Sequence, residues 1–120
     1  IRHESEIQSP AIVLQMDFVV SVENREEFEE MYHSIYVPAM KVQDGYLSSR
    51  LLRLYPEDVA ERIEAIPTEY NYQIQISFDT EENRLRWQQS AEHDIAWPAA
   101  TSLAEEFKWR GYDVRGNNTN

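Results

Sequence analysis

Between Tyr70 and Phe78 the chain alternates without a fault. Tyr70, Tyr72, Ile74, Ile76 and Phe78 are apolar or aromatic, and Asn71, Gln73, Gln75 and Ser77 between them are polar. Successive side chains of a strand point to opposite faces, so a period of two fixes a strand with one face on a core. Residues 11–20 repeat the pattern with Ile12, Leu14, Met16, Phe18 and Val20 on one face and Val13, Gln15, Asp17 and Val19 on the other. Asp17 stands out, because a mid-strand carboxylate needs a cation or a wet cavity beside it. Two more strands are expected at residues 46–55 and 107–114. In the first of these, Tyr46, Ser48, Arg50, Leu52 and Leu54 share a face.

The segments between the strands carry a different period. Phe28, Met31, Tyr32, Ile35 and Tyr36 recur at helical spacing, behind Asn24 and Glu27 at the spacing of a capping box. Pro38 predicts a kink or break, and Asp44-Gly45 a turn. Residues 56–67 read as a helical insert. Thr80 is the expected cap of a helix running through Trp87, Ser90, His93 and Trp97, with Pro98 opening a further short helix. The order β-α-β-(insert)-β-α-β predicts an α+β, ferredoxin-like domain with one antiparallel sheet. Residues 1–10 are expected to be an N-terminal extension, 11–115 the single domain, and 116–120 a disordered tail. A four-stranded layer with helices on one side would leave apolar strand residues bare, so pairing of two copies through the sheet is expected.

Composition narrows the function. The 120 residues hold no cysteine, which removes disulfides, thiolate metal sites and a cysteine nucleophile. Asp and Glu number 22 against 11 Lys and Arg, a net charge of -11 that repels phosphate backbones and anionic membranes. No apolar run is long enough to span a bilayer, and the polar start Ile1 to Glu6 is unlike a secretory signal, so a cytoplasmic location is expected. The three histidines are far apart and three glycines provide no phosphate cradle, so neither a metal nor a nucleotide cofactor is expected.

The chemistry that remains is that of an apolar pocket with a few polar groups. Arg86, Ser90, His93 and Trp97 share one stripe of a continuous helix. Gln15, Asp17, Gln73 and Gln75, with Arg50 or Arg53, are expected to face them from the sheet, and Tyr32, His33 and Tyr36 to wall the pocket. His93 is the expected base, since an ordinary imidazole titrates near neutrality. Asp17 would orient it or, if buried, serve as an alternative base, and Arg50 or Arg53 would hold a developing oxyanion. Trp87, Trp97, Tyr32 and Tyr36 would bind a flat substrate, with Gln73 and Gln75 lining the cavity. Tryptophans in such positions are more often core or interface than substrate platforms, and Asp17 with Arg50 or Arg53 more often a cross-strand salt bridge than a catalytic pair.

Two stretches carry a resemblance. Val37 to Tyr46, VPAMKVQDGY, is similar to the approach to the second strand in antibiotic-biosynthesis-monooxygenase-like proteins. Trp87 to His93, WQQSAEH, resembles their second-helix pattern of Trp, Ser and His. The resemblance spans about residues 10–115 and implies a homodimeric α+β barrel with a pocket in each subunit. It implies cofactor-free oxygenation of a small aromatic or quinol substrate, or a non-catalytic ligand-binding or structural module on the same frame. Haem degradation, known in another branch, departs from this sequence. Asp17 stands where that branch has Asn, and Trp97, ten residues after Trp87, stands where it has the iron-ligating His.

Overall fold

The computed structural model describes residues 11–118. The 1–10 extension and the last two residues of the 116–120 tail lie outside the described residues. Four strands, β1 (Ile12–Val19), β2 (Tyr46–Arg53), β3 (Tyr72–Phe78) and β4 (Glu106–Asp113), form one antiparallel sheet in the order β2-β3-β1-β4. This is the ferredoxin-like arrangement the sequence predicts.

Both alternating strands lie at the centre of the sheet and are paired residue for residue, Leu14 with Ile76 and Met16 with Ile74. Their apolar sets therefore meet on one face. Phe18, Ile74, Ile76 and Phe78 are fully buried there under the helices. This corrects the sequence argument for pairing: the apolar strand residues are covered by the chain's own helices. The other face carries Gln15, Asp17, Gln73 and Gln75 at its centre, with Leu47, Leu52 and Tyr112 exposed. A register shift between Tyr46 and Ser48 takes Tyr46 off the face expected for it, in register with buried Phe78, while Ser48, Arg50 and Leu52 stay on the open side.

The first crossover is one long helical run. A short 3-10 turn (Val22–Asn24) leads into α1 (Arg25–Met31), then a π-helical turn (Tyr32–Tyr36), then α2 (Val37–Lys41). Asn24 makes no side-chain cap and instead donates to the Leu103 carbonyl at 3.3 Å. Pro38 breaks nothing. It follows directly on the π turn, where the hydrogen-bond ladder of the run is already irregular and its missing N–H is accommodated. The insert holds one short helix, α3 (Glu57–Arg62).

The second crossover breaks earlier than the sequence predicts. α4 (Glu81–Gln88) is capped by Thr80, whose hydroxyl accepts from Asn83 N at 3.1 Å. The chain then turns, and Ser90 caps α5 (Ala91–Thr101) by accepting from His93 N at 3.1 Å. Pro98 lies inside α5, not at the start of another helix. Ser90 wins because its hydroxyl also donates to the Trp87 carbonyl at 2.7 Å, closing the end of α4 while opening α5.

Candidate functional site

The break at Ser90 decides what faces the sheet. Arg86, Ser90, His93 and Trp97 no longer form one helical stripe. Arg86 turns outward to Asn83, at 3.1 Å. α5 sends His93 and Trp97 inward, and α4 sends Arg84, Trp87 and Gln88. Together with Leu14, Met16, Tyr36 and Trp109 they line a half-open cavity of about 100 Å³ between the helices and the sheet.

Aromatic rings define its walls. His93 stands edge-on to Trp87 and lies nearly parallel to Trp97, at an interplanar angle of 17° and 6.2 Å between centroids. Trp87 in turn meets Tyr36 edge-on at 6.0 Å. Tyr36 is fully buried on the π turn, and its hydroxyl donates only to the soft Met16 Sδ at 3.7 Å. Burial pushes its phenol far above the ordinary value.

The polar groups are few and chemically distinct. Half-burial among aromatic rings lowers the His93 pKa, and the Arg84 charge adds to that while Asp94 opposes it. His93 is therefore a neutral imidazole at pH 7, able to accept a proton. Arg84 is 12% exposed and is held by Glu81 and Gln88, with its guanidinium 6.0 Å from the Trp109 ring centroid. Arg84 and His93 thus both line the cavity, with the guanidinium already paired with the Glu81 carboxylate.

The residues expected to act together lie on two sides of the sheet. His93, Trp87, Trp97 and Tyr36 share the cavity. Asp17, Arg50, Gln73 and Gln75 are on the open face, since Asp17 is in register with Gln73 and Arg50 with Gln75. There Gln73 Nε2 donates to Asp17 Oδ1 at 2.8 Å, and Gln75 Nε2 to Gln73 Oε1 at 2.7 Å. A four-stranded sheet separates Asp17 and Arg50 from His93, so neither orients it. Arg53 does not reach it either, being paired with Glu29 at 3.1 Å. Tyr32 is buried elsewhere, its hydroxyl 2.6 Å from Ser49 Oγ. Sequence reasoning missed Arg84, Gln88 and Trp109. Trp109 was findable, because in an antiparallel pair it aligns with inward-facing Met16.

Among the described residues no three His, Asp or Glu side chains gather into a metal-holding group. No helix among them is long and apolar enough to cross a membrane.

No family model matches this sequence, and no curated protein matches it. Solved structures do. SnoaB, a cofactor-independent oxygenase from Streptomyces nogalater, superposes with a TM-score of 0.70 at 15% identity over 91% of this chain and 97% of its own. A candidate antibiotic biosynthesis monooxygenase from Bordetella bronchiseptica gives 0.68 at 17% identity, covering 88% and 97%. A dimeric ferredoxin-like protein of unknown function from Thermobifida fusca gives 0.67 at 12% identity, covering 89% and 93%. At such identities the likeness is one of architecture: this chain has the ferredoxin-like α+β fold of antibiotic-biosynthesis-monooxygenase-like proteins.

Proposed function

We propose that the chain is a cofactor-free oxygenase that acts on a single-ring phenol or hydroquinone held between His93, Arg84 and the tryptophans. The observation that carries this reading is the presence of a half-buried imidazole of lowered pKa and a guanidinium in the lining of one aromatic cavity. His93 takes the acidic proton of the substrate hydroxyl. Arg84 stabilises the resulting oxyanion, whose electron-rich ring carbon reacts with O2. For a hydroquinone, one oxygen atom enters the ring and the other leaves as water, with all electrons supplied by the substrate. A hydroxyquinone is the product.

Cavity size supports one ring. An apolar cavity of about 150 Å³ accepts benzene, so a space of about 100 Å³ takes a single ring after a small outward movement of the half-exposed Trp109. A fused polycycle or a porphyrin would need a larger movement still. Likeness to SnoaB supports the reaction class and not the substrate.

The reading includes a homodimer, with the open face of the sheet as the contact. Leu47, Leu52 and Tyr112 are exposed on that face, and one of the structural neighbours is described as dimeric. Within such a contact Asp17, Arg50, Gln73 and Gln75 serve assembly.

Oxygen-electrode assays with catechols, hydroquinones and anthrones test the activity. Uptake with single-ring substrates alone is expected; uptake with anthrones alone would overturn the size argument, and none with any of them the activity itself. Sedimentation of the Leu47→Glu, Leu52→Glu double variant tests the contact, with a monomer expected where the parent chain is a dimer.

A further inference from the structure

The walls of the cavity at His93 are not held equally. Leu14, Met16, Tyr36 and Trp87 are core residues, exposed by 7% or less. Trp97 is clamped by three rings, with centroid distances of 5.9 Å to Phe18, 5.5 Å to Phe107 and 6.2 Å to His93. Trp109 is different. It is 50% exposed, and among the described residues no aromatic ring packs on it. The Arg84 guanidinium, 6.0 Å from its centroid, is at the outer limit of a cation–π contact. Its strand, β4, is at the edge of the sheet and pairs with β1 alone.

The helix side of β4 leaves room beside Trp109 in one direction. Phe107, Trp109 and Gly111 are in register with Phe18, Met16 and Leu14, so all three face the helices. Same-face neighbours on a strand are about 7 Å apart. On one side of Trp109 is Phe107, already engaged edge-on by Trp97. On the other is Gly111, which has no side chain. A Cβ there would have a single heavy atom within 4 Å beyond its chain neighbours, Leu14 Cδ2 at 3.4 Å.

The backbone does not require this glycine. Its φ is outside the left-handed region, where Gly45 alone among the glycines lies. Glycine inside a strand weakens it and commonly marks a place that another group must enter. Here that group is the indole next to it, since strand side chains lean along the strand direction.

We infer, on the reading of this cavity as the substrate site, that Trp109 is the residue that determines its size specificity, swinging along β4 over Gly111 to admit a single aromatic ring. The buried walls stay in place, and Arg84 stays at the rim, held by Glu81 and Gln88. The Gly111 gap is one residue wide, so the indole yields space for one ring and blocks a fused pair.

Calorimetric titration of the full chain with phenol and 2-naphthol tests this. The parent chain is expected to bind phenol roughly 10-fold or more tightly than 2-naphthol, and Trp109→Ala to reverse the preference. Gly111→Val suits a strand but puts a side chain where the indole has to go. It should weaken phenol binding roughly 10-fold and have no effect in a Trp109→Ala background, where no indole is left to obstruct. Circular dichroism checks that each variant is folded, and Trp109→Leu replaces Trp109→Ala if the latter is not. A preference for phenol that survives in the folded Trp109 variant would overturn the inference. So would an equal effect of Gly111→Val in both backgrounds, or no binding of either ligand at millimolar concentration. Oxygen uptake with hydroquinone is measured separately. Uptake without coupling between positions 109 and 111 sinks the role of Trp109 alone, and coupling without uptake supports that role while sinking the oxygenase.

Discussion

The ring of His93 stands edge-on to Trp87, with centroids 4.9 Å apart and planes at 82°. Backbone fixes this contact as much as packing does: His93 N donates to Ser90 Oγ, and Ser90 Oγ donates to the Trp87 carbonyl. One serine thus ties the candidate base to the ring that shields it. Ser90→Ala should loosen both, and helix caps of this kind contribute about 1 kcal/mol.

The pH dependence follows from the direction of the His93 shift. Burial first, and the Arg84 charge as well, lower its pKa below the ordinary 6.5, against the opposing pull of Asp94. The folded chain therefore binds fewer protons than the unfolded chain in the interval below that ordinary value. Stability is fully present above it and falls as pH falls toward the folded pKa, where the loss levels off. Activity that needs the neutral imidazole falls in the same direction. Oxygen uptake should show an acid limb with an apparent pKa below that of free imidazole. His93→Ala should remove the limb and lower uptake by about 100-fold or more. Unchanged uptake would take His93 out of the mechanism.

Two arginines two residues apart on α4 provide a matched comparison. Arg84 lies over Trp109 at the cavity, whereas Arg86 is exposed and bonded to Asn83. Arg84→Gln should lower kcat/KM for a hydroquinone by about 100-fold, the loss typical of one oxyanion donor. Arg86→Gln should leave it within about twofold, as surface substitutions usually do. Steady-state oxygen uptake distinguishes them, and equal losses would show that net charge, not position, matters.

That comparison also shows where sequence legibility ends. Strands β1 and β3 were readable because an alternating pattern has one physical meaning, and from them the antiparallel ferredoxin-like sheet followed. Ser90 was readable as a helix residue with equal ease, because a cap and an interior serine look alike until the turn before them is known. Placing it inside a helix made Arg86 the inward arginine instead of Arg84. The same limit explains Asp17 and Arg50. Alternation says that Asp17 and Met16 are on opposite faces, but not which face the second crossover covers. The buried sets of β1 and β3 pointed to the helices' side, and His93 had to follow the helices. Trp87, Trp97 and Tyr36 line the cavity, because large aromatics on helices that cross a sheet have few other places to go.

The aromatic wall gives a contrast in stability. Trp87 is 2% exposed and touches both Tyr36 and His93. Trp87→Ala leaves a large void and should cost about 3–5 kcal/mol. Tyr36→Phe removes only a hydroxyl whose acceptor is a thioether, and should change stability by less than about 1 kcal/mol. Urea unfolding followed by circular dichroism measures both. Because burial raises the Tyr36 pKa, its phenol is protonated throughout the range of the acid limb, so Tyr36→Phe should leave that limb of the rate profile in place.

Gly45 makes the turn into β2 with φ of +79°, a conformation that glycine adopts freely and L-residues avoid. Space is short there as well. A Cβ at this position would lie 2.8 Å from Asn83 Cβ and nearer still to Asp79 Oδ1 and Asn83 Nδ2. Those two side chains are bonded to each other at 2.8 Å, and the Gly45 carbonyl accepts from Asp79 N at 2.9 Å, so the end of β3 and the start of α4 are tied to this glycine. Gly45→Ala should combine backbone strain of about 1–3 kcal/mol with displacement of Asn83. Asn83 lies next to Arg84, so the effect should reach the cavity. The expected outcome is a lower midpoint in urea together with a raised KM for hydroquinone, both measured against the parent chain.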